Sequence, residues 1–270
     1  MTDEQVACAL LREGTVEELG RIPGASNDTR LVTVARGAEL LRAVYKPTAG
    51  ERPLRDFPLG TLARREVAAY LLGLRCADVR VPPTVMRHDL PAGPGSLQAY
   101  VEADGDPEER VGVFAPAAVP DDWAPILSAL TPDDEEVVVA HALSDELRAQ
   151  ALFDVVTNNA DRKAGHLLHG HYLPGTAAPG LFAIDNGLSF HVRPKLRTIL
   201  WGFAGSPLTA QERALLSGLL AAQDAIADEL TGLLSGAERD ALFERIAGLL
   251  VRGRLPAVPQ GRTPIPWPPL

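Results

Sequence analysis

The stretch Val155–Leu168 reads VVTNNADRKAGHLL, and the fold turns on its reading. An apolar helix end runs into a polar loop of Asn, Asp, Arg, Lys and His, and an apolar pair, Leu167–Leu168, resumes directly after it. On the N-terminal side, Asp145–Val156 places Leu147, Ala151, Leu152, Val155 and Val156 on one helical face, with Ser144 as the N-cap. On the C-terminal side, the apolar run Leu181–Ile184 delivers Asp185-Asn186-Gly187. A strand that ends in an acid–Asn–Gly turn holds a carboxylate rigidly at a sheet edge. Two such carboxylates, Asp161 and Asp185, separated by a hairpin, suit a Mg²⁺-dependent phosphoryl transfer, one orienting the attacking hydroxyl and the other holding the metal. Mg²⁺ takes few protein carboxylates and completes its shell with phosphate oxygens and water, so one or two acids suffice.

Upstream, the β-like run Leu40–Tyr45 leads into Tyr45-Lys46-Pro47, and a second run, Thr29–Val34, lies across Gly37 from it as in a hairpin. A lysine on the interior face of a strand is costly unless it is paired. The spacing of Leu62, Val67, Tyr70, Leu71 and Leu74 predicts a helix over Leu62–Leu74, with Thr61 as its cap and Glu66 as the candidate partner of Lys46. Further strands are expected at Thr84–Arg87 and Ser96–Val101. The small, flexible Pro23–Asn27 offers backbone N–H groups, with the Ser26 hydroxyl, as a phosphate cradle. A strand Lys paired to a helix Glu, followed much later by two loop aspartates, is the order found in kinases. The chain has no GxSxG elbow, Walker A sequence, HExxH or dinucleotide fingerprint.

With 270 residues, 46% of them hydrophobic and 23% charged, the chain can bury a core without disulfide or metal staples. Its 35 acidic against 26 basic residues give a formal charge of −9. That is the wrong sign for a phosphate-neutralising grip on nucleic acid or a polybasic grip on anionic membranes. Cys8 and Cys76 give no disulfide framework, and MTDEQVACALLREG lacks the basic and long apolar regions of a signal peptide. No apolar run reaches transmembrane length, so the expectation is a cytoplasmic protein with no integral membrane association.

The acidic runs Glu102–Glu109 and Asp133–Glu136, with Pro116, Pro120 and Pro125 between them, read as solvated surface on a connection plus an insert. The second half reads as mainly helical. Capping boxes at Thr209/Glu212 and Ser235/Glu238 open helices over Ala210–Leu220 and Gly236–Val251, with another expected over Asp224–Leu234. His169 and His171 read as solvent-facing on a hairpin tip, and the Pro-rich Pro256–Leu270 as an extended surface tail anchored by Trp267.

The set YKP (45–47), REVAAY (65–70), NNADRKAGHLL (158–168) and AIDNG (183–187) resembles the phosphatidylinositol 3- and 4-kinase-like branch of the protein-kinase-like superfamily. More closely, and over nearly the whole chain including the closing PIPWPPL, it resembles a family of short bacterial proteins assigned to that branch. The DR-containing loop and the DNG are also similar to those of HipA-type and secretory-pathway casein kinases. The resemblance implies an α+β, two-lobed protein-kinase-like fold, with a small β-rich N-lobe over 1–101 and a mainly helical C-lobe over 102–270. It implies ATP with Mg²⁺ or Mn²⁺ in the cleft and γ-phosphate transfer to a hydroxyl of a protein, an inositol-like headgroup or another small molecule.

By the same resemblance Lys46 contacts the α/β-phosphates, Glu66 orients Lys46, Asp161 is the catalytic base and Asp185 the metal-binding acid. Tyr100, Val101 and Glu102 form the hinge against adenine, and Ser26 and Asn27 replace the usual Gly-rich loop. Five residues after Asp161, where kinases carry a metal-ligating Asn, stands His166. Imidazole suits Mn²⁺ or Zn²⁺ better than Mg²⁺, so either a second metal is absent or Mn²⁺ is preferred, with Asn158 and Asn159 as alternative ligands. Arg193, Lys195 and Arg197 follow the metal-binding acid, where acceptors dock in kinases, and form a basic cluster suited to an anionic acceptor. A nucleotide-binding pseudokinase and a nucleotidyl (AMP) transferase remain the alternatives.

Overall fold

The computed structural model describes residues 2–173, 179–261 and 263–270. Its amino-terminal part opens with helix α1 (Asp3–Glu13) and continues into five antiparallel strands, β1 (Thr15–Arg21), β2 (Arg30–Arg36), β3 (Glu39–Pro47), β4 (Thr84–Arg87) and β5 (Gly95–Ala99), in the order β1-β2-β3-β5-β4. The β2–β3 hairpin turns at Gly37, whose φ of 61° is the left-handed conformation that glycine adopts without strain. Strand alternation puts Val32, Val34, Leu41, Ala43 and Tyr45 in one core with Leu10 and Leu11 of α1. Helix α2 (Leu62–Gly73) packs on β4 and β5. Thr61 stands at its N-cap as expected, but its hydroxyl donates to the Pro58 carbonyl. Glu51 caps the helix instead, accepting from Ala63 N–H at 3.0 Å.

From β5 the chain passes through Tyr100 and Val101 into β6 (Glu102–Ala103), which pairs with β10 (Leu167–His171); β10 also pairs with β11 (Gly180–Ala183). This small sheet joins the exit of the amino-terminal sheet to the loop bearing Asp161 and to the strand preceding Asp185. Gly170 makes the pairing possible, because a Cβ there would lie 2.1 Å from the Glu102 carbonyl oxygen. His169 and His171 are therefore inside a sheet, not on a hairpin tip, and His169 Nδ1 lies 2.6 Å from the Asp104 carboxylate.

Residues 102–136 are also more ordered than a connecting insert. They carry β7 (Val111–Phe114), β8 (Trp123–Leu130) and the first residue of β9 (Glu136–Ala142), a second three-stranded sheet in the order β7-β9-β8. Pro125 is compatible with a strand because β8 lies at the edge, and the register shifts between Pro125 and Leu127. Helices α3 (Asp145–Thr157), α4 (Ala210–Ala221), α5 (Gln223–Glu229) and α6 (Gly236–Arg252) build the carboxy-terminal core, with both capping boxes in place. Helix α5 stops short of the expected Leu234, and Gly232 with a φ of 82° turns the chain toward α6. The architecture is α+β, a β-rich amino-terminal part followed by a part whose core is built from helices α3–α6. Among the described residues no helix is long and apolar enough to cross a membrane.

The tail is extended, but Trp267 does not anchor it. Its side chain is 78% exposed, whereas Pro266 and Pro269 are buried.

His141 of β9 is fully buried, its Nε2 accepting from Gly202 N–H at 3.0 Å and its Nδ1 lying 2.8 Å from the Ala142 carbonyl. Those partners demand the neutral ring with its proton on Nδ1, and burial holds its pKa below the ordinary histidine value. The unfolded chain then binds the extra proton, so stability falls as pH drops through the ordinary histidine range near about 6.5. Urea midpoints between about pH 7 and 5 should decline, and His141→Gln should remove that part of the slope.

Candidate functional site

Lys46 sits near the end of β3, where its ammonium makes ion pairs with Glu66 of α2 and with Asp185 Oδ1, the latter at 2.8 Å. Glu66 Oε2 accepts from the Asn186 N–H at 2.9 Å, so a single carboxylate ties the strand lysine to the Asp185-Asn186-Gly187 turn. Burial opposes the Lys46 charge, but the Asp185 and Glu66 carboxylates outweigh it and raise Lys46 above the ordinary lysine range. In return the Lys46 ammonium holds Asp185 well below the usual carboxylate range, against the penalty of burial. Asp185 itself has a φ of 56°, a left-handed conformation uncommon outside glycine, which the surrounding hydrogen bonds hold in place.

The Asn158–His166 loop is held from beneath. Asn158 ends α3 in the left-handed conformation; its amide donates to the His191 and Arg193 carbonyls and accepts from Lys195 N–H. Asn159 Oδ1 accepts from Asp161 N–H at 2.9 Å, and its amide nitrogen faces Asp154. Both side chains are thus consumed by the loop's own framework, which corrects the expectation that either is an alternative metal ligand. Arg162 is completely buried. Its Nε pairs with Asp154 at 3.1 Å, one terminal nitrogen donates to the Ile184 carbonyl at 2.7 Å, and the other to Asn186 Oδ1 at 2.6 Å. This guanidinium fastens helix α3, the loop and the Asp185 turn together. Asp154, Arg162 and Asn186 are site residues that the sequence reading missed; the available signal was an acid within an apolar helix face with an arginine eight residues later.

Asp161 lies beside Lys163, whose Nζ is 3.5 Å from Oδ2. Burial pushes the Asp161 carboxyl up; Lys163 opposes this and the charge of Asp185 adds to it. His166 Nε2 lies 3.4 Å from Asp185 Oδ2. Burial pushes the imidazole down to about 4 despite that neighbour, so the ring is neutral at pH 7. Its Nδ1 is buried without a hydrogen-bond partner. The donor set toward a divalent ion is thus one carboxylate and one neutral imidazole, spaced as neighbouring ligands with bonds of about 2.1 Å would be. Among the described residues no group of three or more His, Cys, Asp or Glu suits a metal, so phosphate oxygens would have to complete the shell.

Ser26 is exposed in the β1–β2 loop, and Asn27 Oδ1 accepts from Arg52 N–H at 2.9 Å. That loop is also bonded to the turn following Lys46, through Asp28 N–H and the Gly50 carbonyl. Tyr100, Val101 and Glu102 link the two sheets; Tyr100 N–H donates to the Arg42 carbonyl, and Glu102 pairs with the Arg42 guanidinium at 2.6 Å. Arg193 and Arg197 are exposed, and backbone bonds from Arg197 to Asn159 and Arg162 set it against the Asp161 loop. Lys195 is committed to an ion pair with Asp56, so it is not part of an open basic cluster. A cavity of about 620 Å³, walled by Cys76, Leu152, Phe153, Leu216 and Leu219, contains none of the expected residues.

No family model matches the chain. It is 42% identical over 269 residues to Protein Rv2133c of Mycobacterium tuberculosis, an alignment covering 96% of this chain and 94% of that protein. Among solved structures it is similar to the crystal structure of a Helicobacter pylori proinflammatory kinase, CtkA, with a TM-score of 0.47 and 10% identity over 90% of this chain and 94% of that one.

Proposed function

The chain belongs to the family of the Mycobacterium tuberculosis Protein Rv2133c, and we propose that it moves the γ-phosphate of ATP to a hydroxyl-bearing acceptor. The observation that carries this reading is the Lys46 ammonium, held between a helix carboxylate, Glu66, and the carboxylate of the opposing lobe, Asp185. An ammonium so placed is set to contact the α/β-phosphates, while Glu66, fixed by Asn186 N–H, keeps it aimed. Asp161 accepts the proton of the attacking hydroxyl, a role that the upward push on its carboxyl favours. A divalent ion held by Asp185, with His166 beside it, would neutralise charge on the phosphates.

In the same reading the backbone of Tyr100–Glu102 meets adenine, Ser26 and Asn27 cover the phosphates, and the linker divides lobes 1–101 and 102–270. Arg193 and Arg197 face an anionic acceptor, with Lys195 joining if it leaves Asp56. The acceptor is a protein, an inositol-like headgroup or another small molecule, and the motif order favours the phosphatidylinositol 3-/4-kinase-like branch. Two free, buried cysteines suit a reducing compartment, so the proposed location is the cytoplasm. Incubation with γ- and α-labelled ATP tests the reading. Transfer of γ label is expected; transfer of α label would make the protein a nucleotidyl transferase.

One observation favours a second reading, a nucleotide-binding pseudokinase. A histidine that ligates through Nε2 carries its proton on Nδ1, and metal-bound histidines normally donate that proton to a second partner. The buried Nδ1 of His166 has none. Retained nucleotide binding without any label transfer would identify that case. If His166 is a ligand, turnover prefers Mn²⁺ to Mg²⁺ and His166→Asn diminishes the preference. Identical metal profiles for the two proteins would remove His166 from the metal site.

A further inference from the structure

We infer that the segment Pro264–Leu270 is a latch that holds the Asp161 loop in its working position, an inference that rests on the phosphotransferase reading above. Ala164, three residues after Asp161, opens the short 3₁₀ turn Ala164–His166. No side chain caps that turn, and Lys163 stands at its N-cap position. Its first backbone donor is satisfied from the far end of the chain, Ala164 N–H to the Pro269 carbonyl at 2.9 Å. The other end of the segment is fixed beside the same loop. The Pro264 carbonyl accepts from Thr198 N–H at 3.1 Å and from Trp201 Nε1 at 2.9 Å. Thr198 in turn donates through Oγ1 to Asp154, and its neighbour Arg197 is backbone-bonded to Asn159 and Arg162.

The latch thus reaches the loop directly at Ala164 and indirectly through Thr198. Arg162 and Asn159 fix the side of the loop that faces α3. The tail caps the stretch between Asp161 and His166 at Ala164, the first donor of the 3₁₀ turn. Its composition suits the task. Prolines at 264, 266, 268 and 269 have fixed φ angles and no N–H of their own, so the segment cannot join a helix and has less backbone freedom to lose when it docks. Pro266 and Pro269 are buried, whereas Trp267 projects into solvent. The grip therefore lies in carbonyls and proline rings and not in the aromatic side chain. Pro264–Leu270 is a positioning element; it touches no reacting atom.

The test compares the full chain with a chain ending at Thr263. Amide exchange read at Ala164 and Thr198 should accelerate in the shortened chain, while exchange in α6 stays as it was. The KM for ATP should stay within about threefold and kcat should fall about 100-fold, the split expected when a loop loses position rather than its nucleotide site. The peptide PIPWPPL added in trans should restore part of kcat. Trp267→Ala in the full chain should match the parent in both measurements. Should the shortened chain not fold, Trp201→Phe keeps the test open, because it removes one of the two donors to Pro264 and should lower kcat with the ATP KM unchanged. Parent-like exchange at Ala164 in the shortened chain, or parent-like kcat, overturns the latch. The exchange measurement needs no turnover, so a full chain that transfers no label refutes the phosphotransferase reading while exchange at Ala164 still decides whether the tail holds the loop.

Discussion

Replacing Asp161 with asparagine is expected to lower the proposed γ-phosphate transfer by roughly 10²–10⁴-fold, the usual worth of a general base, and to leave ATP affinity within several-fold. Asparagine keeps the size of the side chain and the backbone N–H bond to Asn159, so the loop retains its shape. It cannot take a proton. The pH profile carries a second signature. Burial raises the Asp161 carboxyl, so the acid limb of kcat/KM should lie above the ordinary carboxylate range, with rate lost as pH falls through it. That limb should vanish in Asp161→Asn. Initial rates with γ-labelled ATP check both points, and parent-like turnover in the variant would remove Asp161 from the mechanism.

The largest effect on stability is expected at Arg162. Arg162→Met leaves Asp154 fully buried with its ionic partner gone, and also strips donors from the Ile184 carbonyl and Asn186. Breaking a buried pair by removing one member costs about 3–5 kcal/mol, because the survivor keeps its desolvation penalty. The double variant Arg162→Met with Asp154→Leu should recover much of that loss, since two well-packed apolar side chains replace a buried pair at little net cost. Urea unfolding, with m held constant between variants, measures it. A loss below about 1 kcal/mol in the single variant would mean that the pair is not what fastens α3 to the loop.

The legible parts of the molecule were those whose chemistry is local. The β2–β3 hairpin followed from alternation around Gly37, and α3, α4 and α6 from Ser144, Thr209 and Ser235 with their partners a turn later. Lys46 and Glu66 stood out because a charged residue on an interior face demands a partner, and the structure brings them together. The illegible parts depend on partners distant in sequence. Thr61 looks like a cap, but Glu51 reaches back to do the work. Lys195 looks free for an acceptor until its partner Asp56, 139 residues away, is seen beside it. Asp154 is hard to pick out as a site residue because the arginine that neutralises it, Arg162, lies beyond the helix end. The β7–β9 sheet is hidden by Pro125 and by acidic residues, whose strand character depends on edge position and on a register shift. The tail is illegible for a different reason: main-chain carbonyls hold the loop, and no residue type encodes a carbonyl.

A crystal structure with a non-hydrolysable ATP analogue and Mn²⁺ decides whether Lys46, Asp161 and Asp185 converge on one nucleotide. The triphosphate is expected between Lys46 on one side and Asp161 and Asp185 on the other, with the ammonium on α/β-phosphate oxygens and the ion on Asp185. A nucleotide bound elsewhere, or one that leaves the Lys46–Asp185 pair untouched, would contradict that placement.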